Sequence, residues 1–212
     1  MRALESDLPR EMIPALQRGV MHSKYRGIGC LKSPFDMVLY LQLFSRQVPR
    51  SIFEIGTRFG GSALWFADMM QSHGVDGSVV TVDISPPEGF EDPRIRMLKG
   101  NASALGETLS PELLGAPHPW LVIDDSSHMY DDSLAVLRFF HPHLQPGDYI
   151  VIEDGVVAFM DPGKYGKYQS GPTRAVEDFL ADHESEYELD TSLCDHFGRN
   201  VTYNPNGWLK KL

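Results

Sequence analysis

The stretch Ser51-Ile52-Phe53-Glu54-Ile55-Gly56-Thr57-Arg58-Phe59-Gly60-Gly61 decides the fold. A short β-type run ends at Gly56, and a glycine-rich turn then opens a helix predicted from Ser62 to Gln71. His73-Gly74 closes that helix, and Val79-Val80-Thr81-Val82-Asp83 follows as a second strand. The alternation continues. Ile95 to Leu98, Trp120 to Asp125 and Tyr149 to Glu153 read as strands. Ala104 to Leu114, Asp131 to His143 and Thr173 to His183 read as helices, with Leu134, Leu137 and Phe140 on one side of the second. Upstream, Ser33-Pro34-Phe35-Asp36 is a helix start with a capping serine, and Val38, Leu39, Leu41 and Leu43 give that helix a broad apolar face. At the other end, Tyr187–Leu189 and Val201–Tyr203 are expected to form an antiparallel pair. Strands and helices at this spacing imply an α/β fold: a Rossmann-like, doubly wound, mostly parallel sheet with a C-terminal antiparallel strand pair.

The chain has 212 residues, which suits one domain preceded by a short extension. Residues 1–30 are expected to form an N-terminal arm or lid, and residues 31–212 the domain. Lys plus Arg number 19 against 29 Asp plus Glu, a formal net charge of −10, which argues against a nucleic-acid or anionic-membrane partner. Cys30 and Cys194 lie far apart in no metal-binding spacing, so neither a disulfide framework nor a cysteine zinc site is expected. The first residues, MRALESDLPREMIPALQ, lack the continuous apolar core of a signal peptide. A reducing, cytoplasmic setting is expected.

In such sheets ligands bind beyond the carboxyl ends of the strands. The polar residues concentrate there. The glycine turn together with Asp83, placed to receive two ribose hydroxyls, points to a nucleoside-containing cofactor. The plain alternative is a structural turn with a capping aspartate. The turn is not GxGxxG, which disfavours a nicotinamide oxidoreductase. The fourth strand ends in Asp124-Asp125-Ser126-Ser127-His128 and the fifth in Glu153-Asp154-Gly155. Clustered carboxylates repel unless a cation joins them, and oxygen ligands suit Mg²⁺ or a similar hard ion. Alternatively Asp125 caps the next helix and the others are solvated loop acids. His128, three residues after Asp125, is placed as a general base.

At these residues the chain resembles class I S-adenosylmethionine-dependent methyltransferases. More narrowly, it resembles the family often labelled cephalosporin hydroxylase or rhamnosyl O-methyltransferase, and it is similar to the macrocin and mycinamicin sugar O-methyltransferases. The matching stretches are YRGIGCLKSPFDMVLY, EIGTRFGGSALWFADMM, VVTVDIS, IDDSSHMYDDSLAVL, PGDYIVIEDG, GPTRAVEDFLADH and NPNGWLKKL, from about Tyr25 onward. The resemblance implies that Glu54, Gly56, Thr57, Gly60, Gly61 and Ser62 shape the methionine end of the cofactor pocket. It implies that Asp83 binds the ribose and that Asn101 and Ala102 lie by the adenine. Asp125, Glu153 and Asp154 would hold Mg²⁺ or Mn²⁺, with His128 and Asp125 at the reacting centre. Asp124 would orient the cofactor amine or support its loop. Ser127 stands where the family often has an acid or amide. No HxD…H triad for iron and 2-oxoglutarate supports the hydroxylase label.

The expected activity is therefore metal-dependent O-methylation of a small hydroxylated natural product such as a sugar, polyketide or antibiotic intermediate, by an enzyme expected to be a homo-oligomer. A metal-dependent hydrolase and a non-catalytic cofactor-binding accessory protein are the rival readings.

Overall fold

A computed structural model describes residues 2–212. In order, its elements are α1 (Ile13–Val20), β1 (Lys24–Tyr25), β2 (Ile28–Gly29), α2 (Pro34–Arg46), β3 (Ser51–Ile55), α3 (Gly61–Ser72), β4 (Ser78–Asp83) and β5 (Ile95–Lys99). There follow α4 (Pro111–Leu114), β6 (Trp120–Asp124), α5 (Tyr130–Phe140), β7 (Tyr149–Ile152), α6 (Pro162–Tyr165), α7 (Gly171–His183), β8 (Tyr187–Leu189), α8 (Thr191–Cys194) and β9 (Trp208–Lys211). The seven-stranded sheet has the order β5-β4-β3-β6-β7-β9-β8. β9 is antiparallel to both of its neighbours, and the remaining pairs are parallel. The chain winds outward from β3 to β5 on one side, then returns to β6 on the other. The strand order therefore reverses between β3 and β6, where such sheets bind ligands.

Helices cover both faces, which explains why β3, β6 and β7 are buried along their whole length. Alternate residues face opposite layers. Phe53, Ile55, Val122, Ile150 and Ile152 pack with Leu134, Leu137 and Phe140 of α5 and Val176 and Phe179 of α7. Ile52, Leu121, Ile123 and Val151 pack with Leu39, Leu43 and Phe44 of α2 and Phe66 and Met70 of α3. Ser33 caps α2 as expected, its side chain accepting the Asp36 amide. The buried face of α2 is Leu39, Tyr40, Leu43 and Phe44, whereas Leu41 is 39% exposed.

Two expected elements differ. Ala104 to Leu114 is not one helix: Ala104 leaves helical geometry inside a 3₁₀ segment, Ala102–Glu107, and α4 starts afresh at the Ser110 cap and Pro111. Val201–Tyr203 is not a strand, and the partner of β8 is β9. The reason is Asp36. Its buried carboxylate accepts the Tyr203 amide at 3.0 Å and the Thr202 hydroxyl, which takes those residues out of any ladder. Trp208 and Leu209, both fully buried, provide the strand instead.

Burial raises the Asp36 carboxyl to about 6, against the opposing pull of its Ser33, Thr202 and Tyr203 hydrogen bonds. A folded-state value above the unfolded one favours the fold in acid, and that contribution is lost as pH rises from about 4 through about 6. Asp36→Asn should flatten stability against pH across this window, removing a change on the order of 3 kcal/mol. Urea titrations at a series of pH values would check this, and an unchanged slope would refute it.

The N-terminal segment packs on the far C-terminal loop. Leu8, Ile13 and Val20 bury against Val156 and Tyr203. Arg2 pairs with Asp195 at 2.6 Å, and the Asp7 amide donates to the Arg199 carbonyl at 2.8 Å. No helix among the described residues is long and apolar enough to cross a membrane.

Candidate functional site

The parallel ladder runs one step past the strand ends and fixes the backbone of the site. The Gly56 amide donates to Val82 at 2.8 Å, Asp125 to Ile55 at 2.8 Å and Glu153 to Asp124 at 2.9 Å. Gly56, Asp125 and Glu153 therefore lie side by side where the strand order reverses. At Gly56, with φ +109°, a Cβ would sit 2.0 Å from the Asp125 carbonyl oxygen. At Gly61 it would sit 2.2 Å from the Gly29 carbonyl oxygen. Both glycines thus admit the protein's own backbone, whatever ligand the turn also receives.

On the cofactor side, Glu54 is fully buried and its Oε2 accepts the Thr81 hydroxyl at 3.0 Å. Its Oε1 is buried with no hydrogen-bond partner among the described residues. Burial raises this carboxyl to about 6, although Lys32 draws it down. Thr57 Oγ1 lies 2.5 Å from Thr81 Oγ1, and Ser62 is buried in the first turn of α3. Asp83 ends β4 and accepts the backbone amides of Arg58 and Ser85, each at 2.8 Å. One lone pair on each oxygen remains open to a ligand. Asn101 caps the 3₁₀ segment through Ser103, and Ala102 is buried behind it.

The acids divide. Asp124 is buried and accepts from the Ser126 hydroxyl at 2.6 Å, which supports the loop. Asp125, His128 and Asp154 converge: one ligand atom from each lies within 4.8 Å of the others. His128 Nε2 is 3.3 Å from Asp154 Oδ2, and Tyr168 packs edge-on against its ring at 5.5 Å. Both residues hold left-handed backbone, φ +60° at His128 and +57° at Asp154, a conformation that clusters at functional sites. Asn204 accepts the Asp154 amide at 3.1 Å, and Ser127 donates to Asp132 at the start of α5. Burial raises the Asp154 carboxyl, with His128 opposing.

Glu153 lies outside that cluster. Its Oε2 accepts Lys32 at 2.6 Å and its Oε1 accepts the Tyr40 hydroxyl at 2.5 Å. Lys32 Nζ also lies 2.7 Å from Asp125 Oδ2. The Lys32 side chain is 1% exposed. Burial works against its charge, but Asp125, Glu153 and Glu54 outweigh it and hold the ammonium well above its ordinary range. Lys32 and Tyr40 were not among the residues singled out from sequence. The one local signal for Lys32 is its place, a charge between Leu31 and the cap of a helix whose first turns are buried.

Residues 17–212 match the family described as rhamnosyl O-methyltransferase/CmcI. A rhamnosyl O-methyltransferase of Mycobacterium tuberculosis (strain ATCC 25618 / H37Rv) is 32% identical over 193 residues, covering 87% of this chain and 76% of that protein. That of Mycobacterium leprae (strain TN) is 32% identical over 190 residues, covering 87% and 81%. Among solved structures, CmcI-D160 with Mg-SAM aligns with a TM-score of 0.69 at 22% identity, over 100% of this chain and 88% of that one. The sheet order and the helices on both faces agree with that fold, and the match over nearly the whole length makes the protein an O-methyltransferase: the chain belongs to the rhamnosyl O-methyltransferase/CmcI family.

Proposed function

We propose that the protein transfers a methyl group from S-adenosylmethionine to a hydroxyl of a small natural product, a sugar, polyketide or antibiotic intermediate, with Mg²⁺ or Mn²⁺ bound. The observation that carries this reading is the convergence of Asp125, His128 and Asp154 beside the glycine turn and Asp83, at the reversal of strand order. The rhamnosyl O-methyltransferase relatives and the Mg-SAM complex of CmcI support it.

The donor set fits a hard divalent ion. Asp125 and Asp154 offer oxygens at one point, and Glu153 keeps one lone pair on each oxygen beyond its bonds to Lys32 and Tyr40. Asp125 and Asp154 would hold the ion, with Glu153 joining them by turning an oxygen from Lys32 or Tyr40 toward it, and the ion would supply Lewis-acid acidification of an acceptor hydroxyl. His128, a nitrogen donor poorly suited to Mg²⁺, stays free to take the hydroxyl proton at Nε2. Asp154, 3.3 Å away, stabilises the imidazolium that results. Glu54 Oε1, buried and without a hydrogen-bond partner among the described residues, would be open to the cationic methionine end of the cofactor. Asp83 would receive the ribose, with Asn101 and Ala102 beside the adenine. When bound, S-adenosylmethionine would supply an activated methyl group to the hydroxyl oxygen and leave as S-adenosylhomocysteine. Alignment of oxygen, carbon and sulfur contributes up to about 7–11 kcal/mol.

Residues 1–30 act as the cover over this cleft, a reading supported by the packing of Ile13 and Val20 on Val156, three residues past Glu153. A reducing cytoplasm agrees with the two free, buried cysteines. Exposed Met12 and Met21 would serve a homo-oligomer contact.

Isothermal titration with S-adenosylhomocysteine, with and without Mg²⁺, tests the reading. One-to-one binding is expected, and no binding would leave the hydrolase as the better account. Asp154→Ala should abolish metal-dependent turnover while leaving S-adenosylhomocysteine affinity within a few-fold. Full activity of the wild type in EDTA would sink the metal assignment.

A further inference from the structure

We propose that His141, His183 and Glu186 form a second cation site, suited to a borderline transition-metal ion such as Zn²⁺, at the sheet edge opposite the methyl-transfer cleft. One ligand atom from each of the three lies within 4.8 Å of the others. His183 Nδ1 is 2.9 Å from Glu186 Oε1, and His141 Nε2 is 3.8 Å from Glu186 Oε2. Neighbouring ligand atoms around tetrahedral zinc stand about 3.3 Å apart, given Zn–N bonds of about 2.0–2.1 Å. Closing the site takes side-chain shifts on the order of 1 Å, within the reach of χ rotations alone.

His141 Nδ1 lies 3.0 Å from the Tyr187 hydroxyl, the other-nitrogen hydrogen bond that fixes a ligating imidazole and points its Nε2 lone pair at the metal. Lys211 takes Glu186 Oε2 at 2.8 Å, and the ion would replace the proton now shared between His183 Nδ1 and Glu186 Oε1, 2.9 Å apart. The side chains are 25%, 26% and 42% exposed, so water can complete the coordination. His141 directly follows α5 and His183 is the last residue of α7. The negative ends of two helix dipoles thus meet at the site and favour a cation.

Donor chemistry separates this site from the cleft. Two imidazoles with one carboxylate select a borderline ion, whereas the oxygen-rich cleft selects a hard one. α5 spans 11 residues, roughly 16 Å, and its other end follows His128. The ion would clamp the C-terminal ends of α5 and α7 to the strand at the sheet edge, β8.

The test is Zn²⁺ titration of the full chain, read by calorimetry and thermal melting in saturating Mg²⁺, in wild type and four variants. One Zn²⁺ is expected per wild-type chain, with a raised melting temperature, and the same in Asp154→Asn, which alters only the cleft. His183→Asn and His141→Gln should each weaken binding at least about 10-fold and lose the zinc-dependent rise. Tyr187→Phe should weaken binding about 10–100-fold without removing a ligand. Equal zinc binding in wild type, His183→Asn and His141→Gln would overturn the proposal. So would zinc binding that disappears in Asp154→Asn. The two histidines are only partly exposed and pack on Phe179, so each variant is read against its own zinc-free melting temperature. If one fails to fold, the other decides.

Discussion

Lys32→Met should lower the stability of the metal-free protein by about 3–5 kcal/mol, the usual cost of removing one partner from a buried ion pair. For a chain of this size that is a fall in melting temperature of roughly 6–20 °C. The magnitude follows from the surroundings. The Lys32 ammonium bonds to Asp125 at 2.7 Å and Glu153 at 2.6 Å, and Glu153, 6% exposed, has almost no water to relieve it once the lysine is gone, whereas Asp125 keeps partial access to solvent. Two further outcomes separate this cause from simple loss of packing. Methionine keeps most of the side-chain volume, so the loss should shrink in acid, where a carboxyl without its counter-ion takes up a proton. Mg²⁺ should also restore more stability in the variant than in wild type, because it returns positive charge to the same carboxylates. The double variant Lys32→Met/Glu153→Gln should be less destabilised than the sum of its parts. A fall below about 1 kcal/mol, unaffected by Mg²⁺ and pH, would mean that the pair does not bear on stability.

Lys32 also marks the limit of what the sequence discloses. Strand ends are legible because hydrophobic runs of the right length stop at charged residues, and a doubly wound sheet gathers those stops along one edge. Asp83, Asp125 and Glu153 follow from that logic, and register carries each to its place. A buried cation follows from no local pattern. The partners of Lys32 lie 93 and 121 residues away, and nothing in CLKSPFD announces them. The same kind of contact explains the displaced C-terminal strand. Val-Thr-Tyr has strong β preference, but Asp36, 167 residues away, holds the Tyr203 amide. The division of the acidic pairs was likewise open. Alternation along a strand allows Glu153 and Asp154 to face apart, but only packing of α2 decides that Glu153 meets Lys32 and Tyr40 while Asp154 meets His128. The glycine turn illustrates a different ambiguity. Gly56 and Gly61 are required by neighbouring backbone, so their presence is consistent with a cofactor without demanding one.

His128→Asn should reduce kcat by about 10²–10⁴-fold with any acceptor that the wild type methylates, the scale of a lost general base. S-adenosylhomocysteine affinity should stay near wild type, since the side chain faces Asp154 and Tyr168 rather than the glycine turn. Asparagine is the informative replacement because of the backbone. His128 sits at φ +60°, where asparagine and histidine are tolerated far better than alanine. His128→Ala should therefore lose activity to the same extent and melt below His128→Asn, because alanine lacks the polar side chain that eases a left-handed backbone. Comparing the two variants separates chemistry from strain. Equal kcat losses with unequal melting temperatures assign the loss to the missing imidazole. A loss seen only in the alanine variant assigns it to the loop that also positions Asp125. Near-normal kcat in both removes His128 from proton transfer and shifts that role to the cleft carboxylates Asp125 and Asp154.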